Sequence, residues 1–332
     1  MIFIVFMYMA AEFFALDKTD RKIIAALEEN SRQSNKAIAK KARANEHVVA
    51  YRIQRLINEG IIKKIYCVIN RGALFPIGYR IFLRFQSLSA ERENALIKRL
   101  VECKYTNWVV SCRGRWDMIV SMFVKDPNHF MSLFKETIAG FEDFIQEKEV
   151  VSCLTFSDFN RAYLYGGQPV EMVEYDGKFS QTKVDSLEQK ILEQLSTNSR
   201  LTLIEMAGKF DVSPDTIRNR IKKLEKEKVI LGHGVLLNLK KLGLGYYTIL
   251  LNLKNLSKER EKAFRDFALQ HPNILFWIRT IGVYDLNIEL EIEEHKLDGL
   301  IVELRNKFGD VIKNLEVLSI VEEFKYTYLT QK

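Results

Sequence analysis

The chain is 332 residues long, 47% hydrophobic and 28% charged, with 50 Lys and Arg against 43 Asp and Glu for a net charge of +7. Those proportions exclude wholesale disorder and a polytopic membrane protein, and 5 prolines with 16 glycines exclude a collagen-like or proline-rich scaffold. The length is enough for two or three domains, each able to bury its own core, and the mild basic excess permits a nucleic-acid partner without establishing one.

Residues 1–11 are uncharged and apolar, and Glu12 interrupts before Phe13–Leu16. Such a run is too short for a hydrocarbon layer of ~30 Å, which needs about 20 residues. No basic region precedes it and no small-residue cleavage site follows, so it does not read as a secretory signal. We read 1–15 as an N-terminal extension, either an early start codon or an added strand, with a weak membrane tether as the alternative. Cys67, Cys103, Cys112 and Cys153 form no C-x-x-C and no histidine stands at zinc spacing. Four reduced thiols in a cytoplasmic protein, with no metal and no cofactor, are expected.

The chain then repeats itself at a shift of 168 residues. From Leu16 to Asn70 there are 15 identities in 55 positions, among them Asp17 on Asp185, Ser31 on Ser199, Arg32 on Arg200 and Arg52-Ile53 on Arg220-Ile221. After a one-residue slip the register recovers at Ser89 on Ser257, and Gly114-x-x-Asp117 meets Gly282-x-x-Asp285. Two long copies mean tandem domains. The expected divisions are 16–70 and 71–164, a linker at 165–183 rich in Gly and Pro, then 184–238 and 239–332.

The first half of each copy reads as three helices. Asp17 and Asp185 are placed to cap the first, each with an acid three residues on (Asp20, Glu188). Ile23, Ile24 and Leu27, and likewise Ile191, Leu192 and Leu195, make one apolar stripe. A short second helix carries Ile38-Ala39 or Met206-Ala207, and the third opens at the caps Asn45 and Ser213, the latter followed by Pro214. Val49, Ile53 and Leu56 face inward, as do Ile217, Ile221 and Leu224.

The opposite face of the third helix has the donors of a recognition helix. Copy one offers His47, Ala50, Tyr51, Arg52, Gln54 and Arg55; copy two offers Thr216, Arg218, Asn219, Arg220, Lys222 and Lys223. The runs after each third helix, Gly60–Ile65 and Lys228–His233, read as a wing that brings Lys63 and Lys64 to the backbone. Residues 17–66 carry 12 basic and 6 acidic side chains, 185–234 carry 9 and 8, and the remainder balances at 29 each. The surplus thus sits in the helical heads, and copy one is expected to dominate phosphate binding.

The second half of each copy reads β-α-β-β-α-β: 79–86, 90–103, 106–113, 117–124, 127–139 and 145–156, then 246–253, 258–270, 273–281, 285–293, 295–308 and 311–323. Two helices cover one sheet face, so the bare faces of the two modules are expected to pack together. The turns at Gly114, Asp117, Gly282 and Asp285 read either as plain hairpins or as ligand contacts, and Trp116 and Tyr284 beside them as sheet packing or a ligand platform.

Taken together, a helical head, Arg-Ile-x-x-Leu-x-x-x-x-Ile in its third helix, a β-α-β-β-α-β module and Gly-x-x-Asp between the middle strands resemble the Lrp/AsnC, or feast–famine, transcription regulators. The resemblance covers about 16–164 and 184–329. It implies an α+β fold, a tandem repeat of a winged helix-turn-helix and a ferredoxin-like ligand-sensing module that dimerises and often assembles further. It implies double-stranded DNA as partner and an amino-acid effector near Gly114, Asp117, Gly282 and Asp285. Departures are Arg43 and Asp211 where the family has a turn glycine, Lys228 where copy one has Gly60, and the fusion itself; they predict weaker docking by copy two and a covalent pseudo-dimer reading unlike half-sites. Two alternatives remain. Sirohaem decarboxylases resemble the same architecture, but Arg113–Asp117 and Thr280–Asp285 hold no histidine for acid–base work. A regulator partner that binds no DNA fits the weak charge of copy two. No triad, phosphate loop or nucleophile elbow marks an enzyme.

Overall fold

The structure, a computed structural model, describes residues 13–86, 89–167, 169–175 and 182–329. The expectations for residues 1–12 lie outside them. Head one is α1 (Lys18–Asn30), α2 (Asn35–Ala42), α3 (Glu46–Asn58) and β1 (Ile62–Ile69). Its module follows a short α4 (Arg71–Leu74): β2 (Ile77–Phe85), α5 (Ala90–Glu102), β3 (Thr106–Arg113), β4 (Met118–Val124), α6 (Pro127–Ile138) and β5 (Ile145–Phe159). The connection holds α7 (Ala162–Tyr165) and β6 (Glu171–Tyr175). Head two is α8 (Ser186–Thr197), α9 (Leu203–Phe210), α10 (Pro214–Lys226) and β7 (Ile230–Leu237), and its module is β8 (Gly245–Leu253), α11 (Lys258–Gln270), β9 (Ile274–Ile281), β10 (Leu286–Ile292), α12 (Glu294–Phe308) and β11 (Ile312–Tyr326).

Local chemistry sets these boundaries. The Asp17 carboxylate accepts the amides of Thr19 and Asp20 at 2.8 Å while Asp20 accepts the Asp17 amide, a reciprocal cap that Asp185 and Glu188 repeat. Such a cap contributes about 1 kcal/mol. Arg43, Asp211 and Lys228 stand at φ 54°, 53° and 54°, the left-handed backbone that glycine takes at Gly60 (φ 64°). Each non-glycine residue there costs roughly 1 kcal/mol. α2 and α9 nonetheless end on the same conformation and the same bond, from the amide after the helix to Ala39 or Ala207.

The expected wings are not separate hairpins. Each copy supplies one strand, and β1 and β7 pair antiparallel with each other, Tyr66 opposite Gly234 and Cys67 opposite His233. The heads interlock across this ribbon. The core of head one takes in Val235 and Leu237 of copy two, and the core of head two takes in Cys67, Val68 and Ile69 of copy one.

Both modules join one sheet. The order β2-β4-β3-β11-β8-β10-β9-β5, with β2 and β5 also paired, closes eight strands into a ring, and β6 adds to the β5 edge. The segment expected to be only linker thus supplies a strand. The ring closes because β5 and β11 are each 15 residues long. Each begins on its own module, β5 on β2 and β11 on β8, and ends on the other, β5 on β9 and β11 on β3. Helices cover the outside, and the inner faces share one core, with Phe82, Trp116, Ile119, Leu250, Tyr284 and Leu318 buried together.

Candidate nucleic-acid interface

The apolar stripes fix which face of each third helix meets solvent. Val49, Ile53, Leu56, Ile217, Ile221 and Leu224 are buried. On α3 this leaves His47, Ala50, Tyr51 and Gln54 outward, with Tyr51 68% exposed and Gln54 donating to Asn58 Oδ1 at 2.8 Å. On α10 it leaves Arg218, Asn219 and Lys222 outward, and Arg218 pairs with Asp215 one turn back. Asn45 Oδ1 accepts the His47 amide at 2.8 Å, and Ser213 Oγ accepts the Thr216 amide at 3.1 Å, while its hydroxyl meets that of Thr216 at 2.9 Å.

Four of the cations assigned to this face are tied down. Arg52 Nη1 donates to Asp17 at 2.5 Å and Asp20 at 3.0 Å, and Arg55 Nη2 donates to Asp20 at 2.7 Å. Arg220 repeats the pattern on Asp185 (2.8 Å) and Glu188 (3.1 Å), and Lys223 reaches Glu188 at 2.8 Å. The acids Asp20 and Glu188 are buried, so these pairs staple the third helix to the cap of the first. The Arg52 guanidinium beside Asp17 holds that carboxyl below its ordinary range. Burial alone raises Glu188, but the bonds from Lys223, the Asp185 amide and Arg220 outweigh it and leave it lowered. Composition counts such cations as surplus; only their partners far along the chain show them to be engaged.

Lys63 and Lys64 sit on the ribbon rather than on a wing tip. Lys63 lines a cavity of about 670 Å³ between ribbon and barrel together with Tyr66, Tyr246 and Glu323. Lys64 is half-buried, and burial pulls its ammonium down. A group of exposed cations in head one lies on and after α2, at Lys36, Lys40, Arg43 and Lys41, the last paired with Glu29 at 2.6 Å. The sequence-based site lacked them, although basic residues at 36, 40, 41 and 43 were a visible signal.

The Gly-x-x-Asp turns occupy the seams of the barrel. Gly114 has φ 140° and Gly282 φ 144°, and an added Cβ would stand 2.6 Å from Leu318 Cδ2 or 2.8 Å from Val151 Cγ1. Asp117 Oδ2 accepts the Phe85 amide and Asp285 Oδ2 the Leu253 amide, both at 2.7 Å. Trp116 Nε1 donates to Tyr284 Oη at 2.8 Å in the barrel interior. No cluster of three or more His, Cys, Asp or Glu among the described residues has metal-binding geometry, and no described helix is long and apolar enough to cross a membrane.

Comparison with known proteins agrees with this architecture. The winged helix-turn-helix DNA-binding family matches residues 16–63 and again 184–230. A stretch of 149 residues, 43% of the chain, is 32% identical to 94% of an uncharacterised HTH-type transcriptional regulator of Pyrococcus furiosus. Another of 137 residues, 41% of the chain, is 35% identical to 89% of the regulatory protein AsnC of Haemophilus influenzae. The chain belongs to the Lrp/AsnC family of helix-turn-helix transcriptional regulators. Each such relative is matched by well under half of it, as a tandem of two family units requires. The siroheme decarboxylase NirDL resembles the whole chain in fold, with TM-score 0.61 over 95% of this chain and 94% of that one, at 10% identity.

Proposed function

We propose that the protein is a cytoplasmic DNA-binding transcription regulator in which one chain forms a pseudo-dimer with two heads. The carrying observation is that α3 and α10 both turn their donor-bearing faces to solvent while the ribbon locks the heads together. Asn45, His47, Tyr51 and Gln54 on one head, and Ser213, Thr216, Arg218, Asn219 and Lys222 on the other, are the proposed contacts. The α2 lysines of head one supply phosphate attraction. Arg52, Arg55, Arg220 and Lys223 act mainly by positioning these helices, and Lys63 and Lys64 add only to the general field. Fluorescence anisotropy with genomic fragments tests this: affinity is expected to fall steeply as salt rises. Binding that ignores salt would count against the heads as the contact surface.

Family membership also supports an amino-acid effector sensed at Gly114, Asp117, Gly282 and Asp285, and further assembly of chains. The test is a titration of an operator complex with the twenty amino acids, read by anisotropy and light scattering.

One observation favours a second reading, as an enzyme: the likeness to NirDL spans both repeats. It is a likeness of fold alone. Anaerobic incubation with sirohaem decides it, since release of carbon dioxide would displace the regulator reading.

A further inference from the structure

The two heads offer unlike chemistry at equivalent positions, and we infer that the operator is a non-palindromic duplex with one A·T half-site read by α3 and one guanine-containing half-site read by α10. This rests on the DNA-binding reading above and adds a base preference for each head.

On α3 the outward residues include no lysine or arginine, because Arg52 and Arg55 turn inward to Asp17 and Asp20. What remains is His47 near the start of the helix and, along the rest of its face, Val48 (42% exposed), Ala50, Tyr51 and Gln54. Methyl groups and a ring pack against the thymine C5-methyl, and a carboxamide pairs with adenine N6 and N7. The positions 168 residues on hold Thr216, Arg218, Asn219 and Lys222. A guanidinium or ammonium there addresses guanine O6 and N7, and Asn219 an adjacent adenine. Arg218 pairs with Asp215, but both side chains are exposed, so that pair yields to a base where the pairs to the buried Asp20 do not.

The helix before each reader differs in the opposite sense. Lys36, Lys40 and Arg43 of head one correspond to Ile204, Gly208 and Asp211 of head two, and Ile204 is 75% exposed. In a helix-turn-helix this element crosses the phosphate backbone. Head one therefore grips phosphate through α2 and reads with a neutral, partly apolar face, whereas head two grips weakly through α9 and reads with a cationic one. The ribbon and the buried Ser31–Ser199 contact fix the heads to each other, so the pair engages its operator in one direction.

The test is selection of duplexes from a random pool by the full chain, by Y51A/Q54A and by R218A/K222A. All four side chains are exposed, and unchanged denaturation midpoints verify the fold. The wild type is expected to return two unlike half-sites at one spacing. Each variant is expected to lose about tenfold preference in one half-site only, the A·T one for the first and the guanine one for the second. A palindromic consensus, or both variants flattening the same half-site, overturns the inference. No enrichment by the wild type overturns the DNA-binding reading instead.

Discussion

Ser31 Oγ and Ser199 Oγ, 168 residues apart, meet at 2.8 Å in a fully buried contact between the two heads. Around it, Arg32 donates to the Ser199 and Leu201 carbonyls, and Arg200 returns the exchange to those of Ser31 and Gln33. Equivalent residues of two repeats touch each other only where an approximate two-fold relation brings them face to face. Trp116 and Tyr284, also 168 apart, mark the same relation in the barrel.

A double-mutant cycle tests that contact. Ser31→Ala leaves the Ser199 hydroxyl buried without this partner, at a cost of about 1–3 kcal/mol. The double variant S31A/S199A removes both polar groups and is expected to cost less than the two singles summed. Denaturant unfolding reads this directly, and strict additivity would mean the hydroxyls do not interact.

The cap-to-reader staples predict a stability phenotype. Arg52→Glu places a like charge against Asp17 and the buried Asp20, and because Arg55 still pairs with Asp20 the expected loss is about 1–3 kcal/mol, below that of a fully orphaned buried ion. Arg220→Glu is expected to do the same to head two through Glu188. Both variants are expected to lower the unfolding midpoint, and DNA affinity measured on the fraction still folded is expected to fall much less. Lys40→Glu is expected to reverse the pattern, with affinity lost, the salt slope reduced by about 1 and the midpoint unmoved. An Arg52→Glu protein with normal stability and abolished binding would return that arginine to the DNA-contact set.

Much of this architecture is legible in the sequence because it is local. Caps at Asp17, Asn45 and Ser213, and stripes such as Ile23-Ile24-Leu27, report the face each helix buries, and every expected module element begins and ends within three residues of its observed bounds. The missed features all depend on distant partners. Periodicity along 62–69 marks a strand but not that its neighbour is 230–237. β5 changes partner to β9 from Ser152 and β11 changes partner to β3 from Ser319, inside the expected strands, and strand periodicity carries no sign of that change. Charge counting cannot separate Arg52, engaged by Asp20, from Lys40, which is exposed.

Two titratable groups near the ribbon, the buried His233 and the half-buried Asp158, give opposing pH responses. Burial and Arg32 push the His233 imidazole down to about 4, and neither ring nitrogen has a hydrogen-bond partner among the described residues. Its folded value lies below the unfolded 6.5, so the unfolded chain binds the extra proton and stability drops by up to about 3 kcal/mol as pH falls from 6.5 to 4. Burial pushes the Asp158 carboxyl up to about 7 despite Arg161 nearby. Here the folded chain holds the extra proton, and stability drops as pH rises from 3.8 to 7. Thermal melts are expected to show Asp158→Asn gaining on the wild type at pH 8 and losing that gain at pH 5. His233→Leu is expected to flatten the acid side. Parallel curves for wild type and variants would show that neither group titrates as described.

Left-handed backbone at a non-glycine residue makes a separate prediction. Lys228 and Asp211 hold φ 54° and 53°, and glycine removes the steric cost at some expense in unfolded-state entropy. Lys228→Gly and Asp211→Gly are each expected to add about 0.5–1 kcal/mol to unfolding stability. Urea unfolding at constant slope checks it, and destabilisation by either change would show that the side chain holds the turn by some other bond.

The seams of the barrel separate the two roles open to the Gly-x-x-Asp turns. At Gly114 an added methyl meets Leu318 at 2.6 Å and the Val317 carbonyl at 3.0 Å, and the backbone there stands at φ 140°. Neither the neighbouring strand nor the conformation can absorb it, so Gly114→Ala and Gly282→Ala are expected to cost more than about 3 kcal/mol, at the exceptional end for single substitutions. Asp117→Asn keeps an oxygen able to accept the Phe85 amide at the cost of the charge, so its stability is expected to fall by about 1 kcal/mol or less. The asparagine variant is therefore the one that reports on sensing. If these aspartates contact an effector's ammonium group, Asp117→Asn and Asp285→Asn shift the amino-acid dose curve of an operator complex at near-normal stability. If the curve stays where the wild type puts it, the aspartates serve the strand ends and the glycines serve the close approach of β3 to β11 and of β9 to β5.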